Sequence, residues 1–386
     1  MSNAPASTAA RSLVTAETPC LVLDEGRMLN NIARLRRRLA PFAVTLRPHL
    51  KTAKSIEVAR AVMDGPGGPA CVSTLREAEV FADAGVTDIL YAVGIAPQKL
   101  ARVSALRQRG VDLCVILDSL DQAKAIAEAA RAPGDRIPAL IEIDCDSHRA
   151  GVRPDDPSLV EIGRTLHEGG AELRGVMAHA GESYSCRSVA ALEAAAEQER
   201  AITVSCAETL RSAGLPCPVV SVGSTPTAHF ARRLDGVTEV RAGVFVMFDL
   251  VMAGIGVCTL DDIALSVLAT VIGQRADRGW SFVDAGWMAL SRDRGTARQA
   301  VDQGYGVVCD VDGKPYLDLI VTDANQEHGI ITRRPGSSAP PTVLPIGTQV
   351  RILPNHACAT GAQHDRYHVV RDGSEIVRQW ERFRGW

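Results

Sequence analysis

The sequence has few aromatic residues, no excess of charge of one sign and no long hydrophobic run, and each lack excludes a class of protein. Aromatic residues make up 4% of the 386 residues, too few for the stacking platforms that bind single-stranded nucleic acids. Lys and Arg number 42 and Asp and Glu 45, for a net charge of −3, whereas a nucleic-acid-binding surface requires a marked basic excess. No segment reaches the roughly 18–20 apolar residues that span a bilayer. We therefore expect neither nucleic acids nor membranes as partners.

The ten cysteines are scattered singly, and no two form a CxxC pair. Disulfide frameworks are typical of small secreted domains, so this distribution predicts reduced thiols in a cytoplasmic protein. The first 16 residues lack the apolar core of a secretory signal. Their Ala and Ser content faintly resembles a transit peptide, but a frayed tail is the favoured interpretation.

Short apolar runs alternate with helical patterns between residues 45 and 245. Several runs are nearly continuous and rich in Val and Ile, as expected of strands covered on both faces. The eight predicted strands are Thr45–Leu50, Ala70–Thr74, Ile89–Val93, Leu113–Leu117, Ala139–Asp144, Leu173–His179, Val219–Gly223 and Glu239–Ala242. Eight βα units over about 200 residues predict a (β/α)₈ barrel. An open doubly wound sheet is the alternative, but no GxGxxG turn follows the first strand.

The pattern of the sequence changes after about residue 255. Runs such as Ile263–Ile272 and Gln349–Leu353 are separated by Gly, Pro and Asp turns, which predicts a β-rich domain. The run Cys20–Asp24 lies outside the eight barrel strands, and we expect it to join this C-terminal sheet. The predicted organisation is a tail and strand over residues 1–25, a barrel over residues 26–255 and a β domain over residues 256–386.

Candidate functional residues follow the predicted barrel strands, whose C-terminal ends hold the active site in this fold. Lys51 follows the first strand, where a desolvated lysine suits Schiff-base chemistry, although an ordinary surface lysine is the alternative. Gly223-Ser224-Thr225 follows the seventh strand and fits either a phosphate site or a simple helix cap. The Gly243 turn after the eighth strand can add backbone amides. A phosphate site with a Schiff-base lysine suggests pyridoxal 5′-phosphate (PLP) as cofactor.

Several motifs together resemble one enzyme family. The motifs are Thr18–Asp24, Arg47–Thr52, Val220–Thr227, Asp284–Met288, Asn325–Gly329 and Pro354–Thr360. They are similar to segments of the fold-type III PLP enzymes, in the branch that contains D-threonine aldolase and eukaryotic-type D-serine dehydratase. The resemblance extends over the chain from Thr18 to Trp386. It implies a homodimer in which an alanine-racemase-like barrel is joined to a β domain.

The resemblance also implies a set of cofactor-binding residues. These are Lys51, Arg149, His179, Ser224, Thr225, Arg241, Gly243 and Val244. Lys51 is expected to form the Schiff base, Arg149 to lie near the phenolic oxygen of PLP, and His179 to lie against the pyridine ring. From its position alone, His179 could equally be a packed core residue. Arg241 is expected near the pyridine nitrogen, which it would leave unprotonated because a guanidinium keeps its own proton.

His356 and Cys358 form a second candidate site. On an extended segment, residues two apart point to the same face, and imidazole plus thiolate suits zinc or a similar divalent ion. The resemblance implies a metal pair here, with Zn, Mn, Co or Mg as the ion. Aldolase members have HxD and dehydratase members HxC, so Cys358 favours dehydration. Gln326 and His328 are candidate contacts for the substrate, with a tight turn as the alternative for their segment.

These features predict a PLP- and metal-dependent dehydratase, an ammonia-lyase that converts a D-3-hydroxy amino acid to a 2-oxo acid and ammonia. D-threo-3-Hydroxyaspartate, which would give oxaloacetate, is the expected substrate, with D-serine and D-threonine as alternatives. Lys51 is expected to take the α-proton, and the metal to make the β-hydroxyl a better leaving group. The rival functions are a D-threonine aldolase, a racemase, which gains nothing from a metal, and a non-enzymatic PLP-binding protein, which would lack the β domain.

Overall fold

The computed structural model describes residues 11–131, 136–147, 149–371 and 373–386. These residues divide into two units. The barrel unit comprises Ile32–Phe245 and Arg384–Trp386, and the sheet unit comprises the described residues up to Asn31 together with Val246–Phe383. Most of the predicted N-terminal tail, residues 1–10, lies outside the described residues. Every helix in the described part of the chain is too short or too polar to cross a membrane.

The barrel unit is built on eight parallel strands, which follow an N-terminal segment in the chain. That segment contains β1 (Arg11–Ser12), β2 (Cys20–Asp24) and α1 (Glu25–Leu39). The barrel strands are β3 (Thr45–Pro48), β4 (Ala70–Val72), β5 (Asp88–Gly94), β6 (Asp112–Leu117), β7 (Pro138–Ile143), β8 (Glu172–Ala178), β9 (Val219–Val222) and β10 (Glu239–Ala242). Each overlaps its predicted range. Side chains from five of these strands form one interior cluster: Cys71, Leu90, Cys114, Ile116, Leu140 and Met177.

The eight strands form a nearly closed ring, in the order β3-β10-β9-β8-β7-β6-β5-β4. The ends of this order, β3 and β4, meet where His49, just beyond β3, forms a parallel bridge with Cys71 in β4. Leu50 N–H donates to the Cys71 carbonyl there at 2.8 Å. The predicted (β/α)₈ barrel is therefore confirmed, and the open doubly wound sheet is excluded.

Seven helices alternate with the barrel strands. They are α2 (Ile56–Val62), α3 (Leu75–Asp83), α4 (Leu100–Gln108), α5 (Leu120–Ala129), α6 (Ser158–Glu168), α7 (Val189–Ser212) and α8 (Thr225–Phe230). Thr74, Ser119 and Ser188 begin α3, α5 and α7, because each hydroxyl accepts from the backbone N–H three residues on. Gly85 and Gly214 adopt a positive φ just after α3 and α7, where glycine ends a helix without strain.

The sheet unit contains the remaining elements. They are α9 (Leu250–Gly254), β11 (Leu265–Arg275), β12 (Trp280–Val283), α10 (Trp287–Leu290), β13 (Val307–Cys309), β14 (Pro315–Ala324), β15 (Gly329–Arg333), β16 (Gln349–Leu353), α11 (Ala357–Gly361), β17 (Arg366–Val370) and β18 (Glu375–Glu381). The strand order is β1-β18-β17-β2-β11-β12-β15-β14-β13-β16, and β11 also pairs with β16. That extra pairing joins six of the strands into a ring.

The N-terminal strand β2 lies in the middle of this sheet. It pairs antiparallel with β11 and parallel with β17, and Val22 and Leu23 are fully buried. Asp284, after β12, holds the segment that leads into β2. Its carboxylate accepts from the Thr18 hydroxyl at 2.5 Å and from Thr270 N–H, in β11, at 2.8 Å. Both Thr18 and Asp284 belong to motifs that the sequence singles out.

Candidate active site

Cations and histidines converge at the C-terminal ends of the barrel strands. Lys51 lies just beyond β3 with an exposed side chain. Burial, together with the charges of Arg149 and Lys51, lowers the pKa of His179 to about 3. Burial, followed by Lys51 and Arg241, also holds the pKa of His49 well below its ordinary value. The same cations act on both rings, so they lie close to both, and burial together with these charges keeps both imidazoles neutral at physiological pH.

Arg241 is fixed from inside the barrel. Its side chain is buried, and its two terminal nitrogens donate to the Ser221 hydroxyl and to the Ala178 carbonyl. Ser221 in turn donates to Glu239 at 2.6 Å, and Glu239 also accepts from Arg47 at 2.8 Å. These hydrogen bonds leave the guanidinium one orientation, which is what a group that must face a bound ring needs.

The turn after β9 has the geometry of a helix cap. Gly223 has a φ of +133°, and a Cβ there would lie 2.2 Å from the Arg241 carbonyl oxygen, so only glycine fits. Ser224 Oγ accepts from Thr227 N–H at 3.2 Å, and Thr227 Oγ1 accepts from Ser224 N–H at 3.0 Å. This reciprocal pair is a capping box, so the helix-cap alternative for Ser224 is realised in the structure.

Other donors at this end of the barrel fit a phosphate group. Thr225 Oγ1 accepts from Phe245 N–H at 3.3 Å, which leaves its own O–H free to donate. Within the described part of the chain, the backbone N–H groups of Gly243 and Val244 donate to no backbone carbonyl. Amides of this kind, next to a glycine and a helix N-terminus, are suited to an anion. This donor chemistry, with Lys51 nearby, fits PLP.

Two buried acids hold the strand ends in place, and the sequence did not single them out. Glu142 in β7 lies 3.7 Å from Arg149. Burial raises the pKa of Glu142, while the charge of Arg149 opposes that rise. Glu199 in α7 accepts from two loop amides, those of Ala180 and Gly223, at 2.8 and 3.0 Å. Both acids therefore act on residues around the predicted cofactor.

The sheet unit holds His356 and Cys358, but not on an extended segment as predicted. His356 is extended, with φ −137° and ψ 110°, and Cys358 already lies in the first turn of α11. The helix begins here because the buried Asp249 carboxylate accepts from Ala357 N–H at 3.0 Å, which satisfies an amide that has no partner within the helix. The predicted extended conformation is therefore wrong, although the imidazole and the thiol still meet.

The His356 imidazole is oriented by an aspartate that the sequence did not identify. Its Nδ1 is 2.6 Å from Asp293 Oδ2. Burial opposes protonation, but the hydrogen bonds with Asp293 and Cys358 outweigh it and raise the pKa of His356 to about 11. Because Asp293 occupies Nδ1, Nε2 is the nitrogen that can bind a metal, an arrangement common at zinc sites.

The metal-binding capacity of this cluster rests on two side chains. Within residues 11–131, 136–147, 149–371 and 373–386, no group of three or more His, Cys, Asp and Glu side chains is arranged to hold a metal. An imidazole and a thiolate nonetheless fit zinc or a related ion. Two protein ligands leave further positions for water or substrate, as a catalytic ion requires.

Gln326 and His328 lie on the exposed tip of the hairpin between β14 and β15. Asn325 N–H donates to the His328 carbonyl at 2.8 Å, and the Asn325 carbonyl accepts from Trp287 N–H at 2.9 Å. A Cβ on Gly286 would lie 2.3 Å from that same Asn325 oxygen. The tight turn expected as the alternative for this segment is present. Its Asn325 carbonyl packs directly against Gly286, which links this turn to the Asp284–Met288 motif.

Comparisons with known proteins agree with this architecture. Residues 23–250 match the family model described as alanine racemase, N-terminal domain, and residues 264–370 match the putative serine dehydratase domain. The chain belongs to the family of enzymes that combine these two domains. This places the (β/α)₈ barrel and the C-terminal sheet in a known enzyme family.

Individual relatives cover nearly the whole chain. D-threo-3-Hydroxyaspartate dehydratase from Delftia sp. strain HT23 is 57% identical over 97% of this chain and 99% of that protein. Its solved structure has a TM-score of 0.93 and covers 97% of this chain and 100% of that chain. D-Serine dehydratase from Dictyostelium discoideum is 30% identical over 96% of this chain and 97% of that protein. The structure of D-threonine aldolase from Filomicrobium marinum is 27% identical, with a TM-score of 0.79 over 96% of each chain.

Proposed function

We propose that this chain is a PLP- and divalent-metal-dependent dehydratase that converts D-threo-3-hydroxyaspartate to oxaloacetate and ammonia. The observation that supports it most is the His356–Cys358 pair, oriented by Asp293, in a chain 57% identical to an enzyme of that name. Solved structures of that enzyme include a histidine-to-alanine variant and a metal-free cysteine-to-alanine variant. The two altered positions are two residues apart, which is the spacing of His356 and Cys358.

The barrel residues supply the binding and proton chemistry of the proposed reaction. PLP, when bound, would draw electrons from the substrate α-carbon. Lys51 is the proposed attachment point and the group that accepts the α-proton at Nζ. His179 stays neutral and donates through Nδ1 to the Gly223 carbonyl at 3.0 Å, so it holds its orientation without taking up a proton. Arg241 presents a permanent positive charge in one fixed direction.

The sheet-unit residues supply the proposed metal site. An ion there would act as a Lewis acid on the β-hydroxyl and make it a better leaving group. His356 would bind through Nε2 and Cys358 as a thiolate. This soft and borderline donor pair favours zinc, and Mn, Co and Mg are the alternatives that metal analysis of the purified protein separates. Gln326 and His328 remain proposed contacts for the substrate side chain.

A substrate panel tests the proposal. Protein reconstituted with PLP and ZnCl₂ is given D-threo-3-hydroxyaspartate, D-serine and D-threonine, with the L-amino acids as controls, and 2-oxo acid and ammonia are measured with and without EDTA. We expect equal amounts of oxo acid and ammonia, the fastest turnover with D-threo-3-hydroxyaspartate, and loss of turnover in EDTA. A higher rate with D-serine would reassign the substrate, and turnover unaffected by EDTA would contradict the metal role.

D-Threonine aldolase is the second candidate function, favoured by the likeness to the Filomicrobium structure. Such an enzyme would cleave the Cα–Cβ bond, and D-threonine would then give glycine and acetaldehyde. The proposed dehydratase would instead give 2-oxobutyrate. Measuring glycine and 2-oxobutyrate in the same sample therefore separates the two functions.

We further propose that the protein is a homodimer in the cytoplasm. All ten cysteines lie within the described residues and none forms a disulfide there; eight of them are buried, which is typical of a reducing compartment. Light scattering after size exclusion should give a mass near twice the 41.1 kDa of the chain. A mass of one chain would contradict the dimer.

A further inference from the structure

Glu199 is a buried acid in the middle of α7. Its side chain is 1% exposed. Leu192, Ala196 and Thr203 are buried on the same helix, at the spacing of three or four residues that marks one face. A carboxylate on such a face loses its hydration, so it requires hydrogen bonds that compensate. The partners of Glu199 show what it does.

Two backbone amides that donate to Glu199 lie at the ends of two neighbouring barrel strands. Glu199 Oε1 accepts from Ala180 N–H at 2.8 Å, after β8, and from Gly223 N–H at 3.0 Å, after β9. Burial raises the pKa of the Glu199 carboxyl, and the nearby Thr227 hydroxyl opposes that rise. The β8–β9 pairing ends at Met177 and Ser221, before these two loops. Glu199 therefore joins the loop after β8 to the loop after β9.

These contacts fix two groups of the proposed cofactor site. Ala180 is adjacent to His179, and the carbonyl of Gly223 accepts from His179 Nδ1 at 3.0 Å. Both backbone polar groups of Gly223 are therefore hydrogen-bonded: its N–H donates to Glu199, and its carbonyl accepts from His179. Loss of the carboxylate would release the ring of His179 and the turn that leads into Thr225 together.

The capping box of α8 depends on the same turn. The Thr227 hydroxyl donates to the Ser224 carbonyl at 3.4 Å, and Thr227 Oγ1 accepts from Ser224 N–H at 3.0 Å. Because Glu199 holds the N–H of Gly223, the residue before Ser224, removal of the acid would weaken the start of α8.

We propose that Glu199 is a positioning residue of the PLP site, which orients His179 and the Gly223–Thr225 turn without touching the substrate. This inference rests on the proposed PLP dependence. Glu199 would fix the position of the His179 ring relative to the Gly223–Thr225 turn. Glu197, two residues away on α7, provides a matched control, because it is exposed and pairs with Arg200 at 2.6 Å.

The experiment compares Glu199→Ala, Glu199→Gln and Glu197→Gln with the wild type. Each protein is stripped of cofactor and titrated with PLP, and affinity is read from the visible absorption band. The visible circular dichroism of bound PLP reports the orientation of its ring. We expect about 10- to 100-fold weaker PLP binding and an altered dichroism for Glu199→Ala, because a buried charged acceptor of several hydrogen bonds is lost.

Glu199→Gln keeps the Oε1 acceptor for the two amides but loses the charge of the carboxylate, so we expect it to weaken PLP binding by about 3- to 10-fold. Glu197→Gln should bind as the wild type does. Far-ultraviolet circular dichroism checks folding, and if Glu199→Ala does not fold, Glu199→Gln decides the question. Wild-type affinity and dichroism in the Glu199 variants would overturn this inference and leave the proposed function standing. Failure of the wild type to bind PLP would overturn both.

Discussion

The two units place histidine in opposite electrostatic surroundings. In the barrel unit, burial together with the charges of Arg149 and Lys51 lowers the pKa of His179 to about 3. In the sheet unit, burial also opposes protonation of His356, but Asp293 and Cys358 outweigh it and raise the pKa to about 11. The same side chain is therefore neutral in one unit and cationic in the other at pH 7.

This difference supports the proposed assignment of a cofactor to one unit and a metal to the other. Cations surround His179, so the barrel site attracts the negative charges of a phosphate or a carboxylate. Acidic groups surround His356, so the proposed sheet-unit site is suited to a metal cation, which would replace the imidazole proton. An anionic cofactor and a divalent ion are the two components that the proposed dehydration requires, and each has its own unit.

The largest effect should come from Lys51→Ala, which removes the only group assigned to cofactor attachment and proton transfer. We expect turnover of D-threo-3-hydroxyaspartate to fall by at least about 1,000-fold. Steady-state ammonia release measures it. Lys124→Ala, an exposed lysine on α5, should retain full activity. More than a tenth of the wild-type rate in the Lys51 variant would contradict its role.

Cys358→Ala should break the sheet-unit site and leave the barrel site intact. We expect about a 100-fold or greater loss of turnover that added ZnCl₂ does not restore, because the Lewis acid is lost. Cys186 is the matched control, since it and Cys358 are the two cysteines that are not buried. Cys186→Ala should behave as the wild type, and equal activity in both variants would disprove the metal role of Cys358.

Asp293→Asn tests the surroundings of His356, because it removes the negative charge next to the imidazole and leaves a side chain of the same size. Metal affinity should fall by about 10- to 100-fold, the usual effect of losing a residue that orients a ligating histidine. Competition against a chromogenic chelator measures the affinity. Asp277→Asn, at an exposed aspartate paired with Arg275 at 3.0 Å, should leave it unchanged. The assignment of Asp293 fails if the two variants bind metal equally well.

The smallest effect concerns acid stability of the cofactor-free protein. The folded pKa of His179 is about 3, below the unfolded value of about 6.5. Between these values the unfolded chain binds the additional proton, so stability falls as pH decreases, by at most about 1.4 kcal/mol per pH unit. His179→Asn should reduce this slope between pH 6.5 and 4 in denaturant titrations, while His167→Asn, at an exposed histidine, should not. Identical slopes would contradict a neutral His179.

The barrel was predictable because each strand is a local signal. Runs such as Leu113–Leu117 are apolar on both faces and bounded by helical patterns, and each overlaps the observed strand. The alternatives for Ser224 were a helix cap and a phosphate site, and the structure shows the cap. The two alternatives use the same residues, so local sequence could not separate them.

The two acids that the sequence did not identify, Glu199 and Asp293, contact residues far away in the sequence. Glu199 lies 19 and 24 residues from its two amide partners, and Asp293 lies 63 residues from His356. Glu199 nevertheless had a signal, since it is an acid on the buried face of an amphipathic helix. The conformation of His356–Cys358 was mispredicted because Asp249, 108 residues from Ala357, determines where the helix begins.

The most direct test is to measure the PLP and metal contents of the wild type, Lys51→Ala and Cys358→Ala on the same samples, by absorbance and by elemental mass spectrometry. If each unit provides its own site, the wild type holds both components, the Lys51 variant loses its Schiff-base absorption band but keeps the metal, and the Cys358 variant keeps PLP but loses the metal. Loss of both components in either variant, or a Cys358 variant that still holds its metal, would contradict two separate centres.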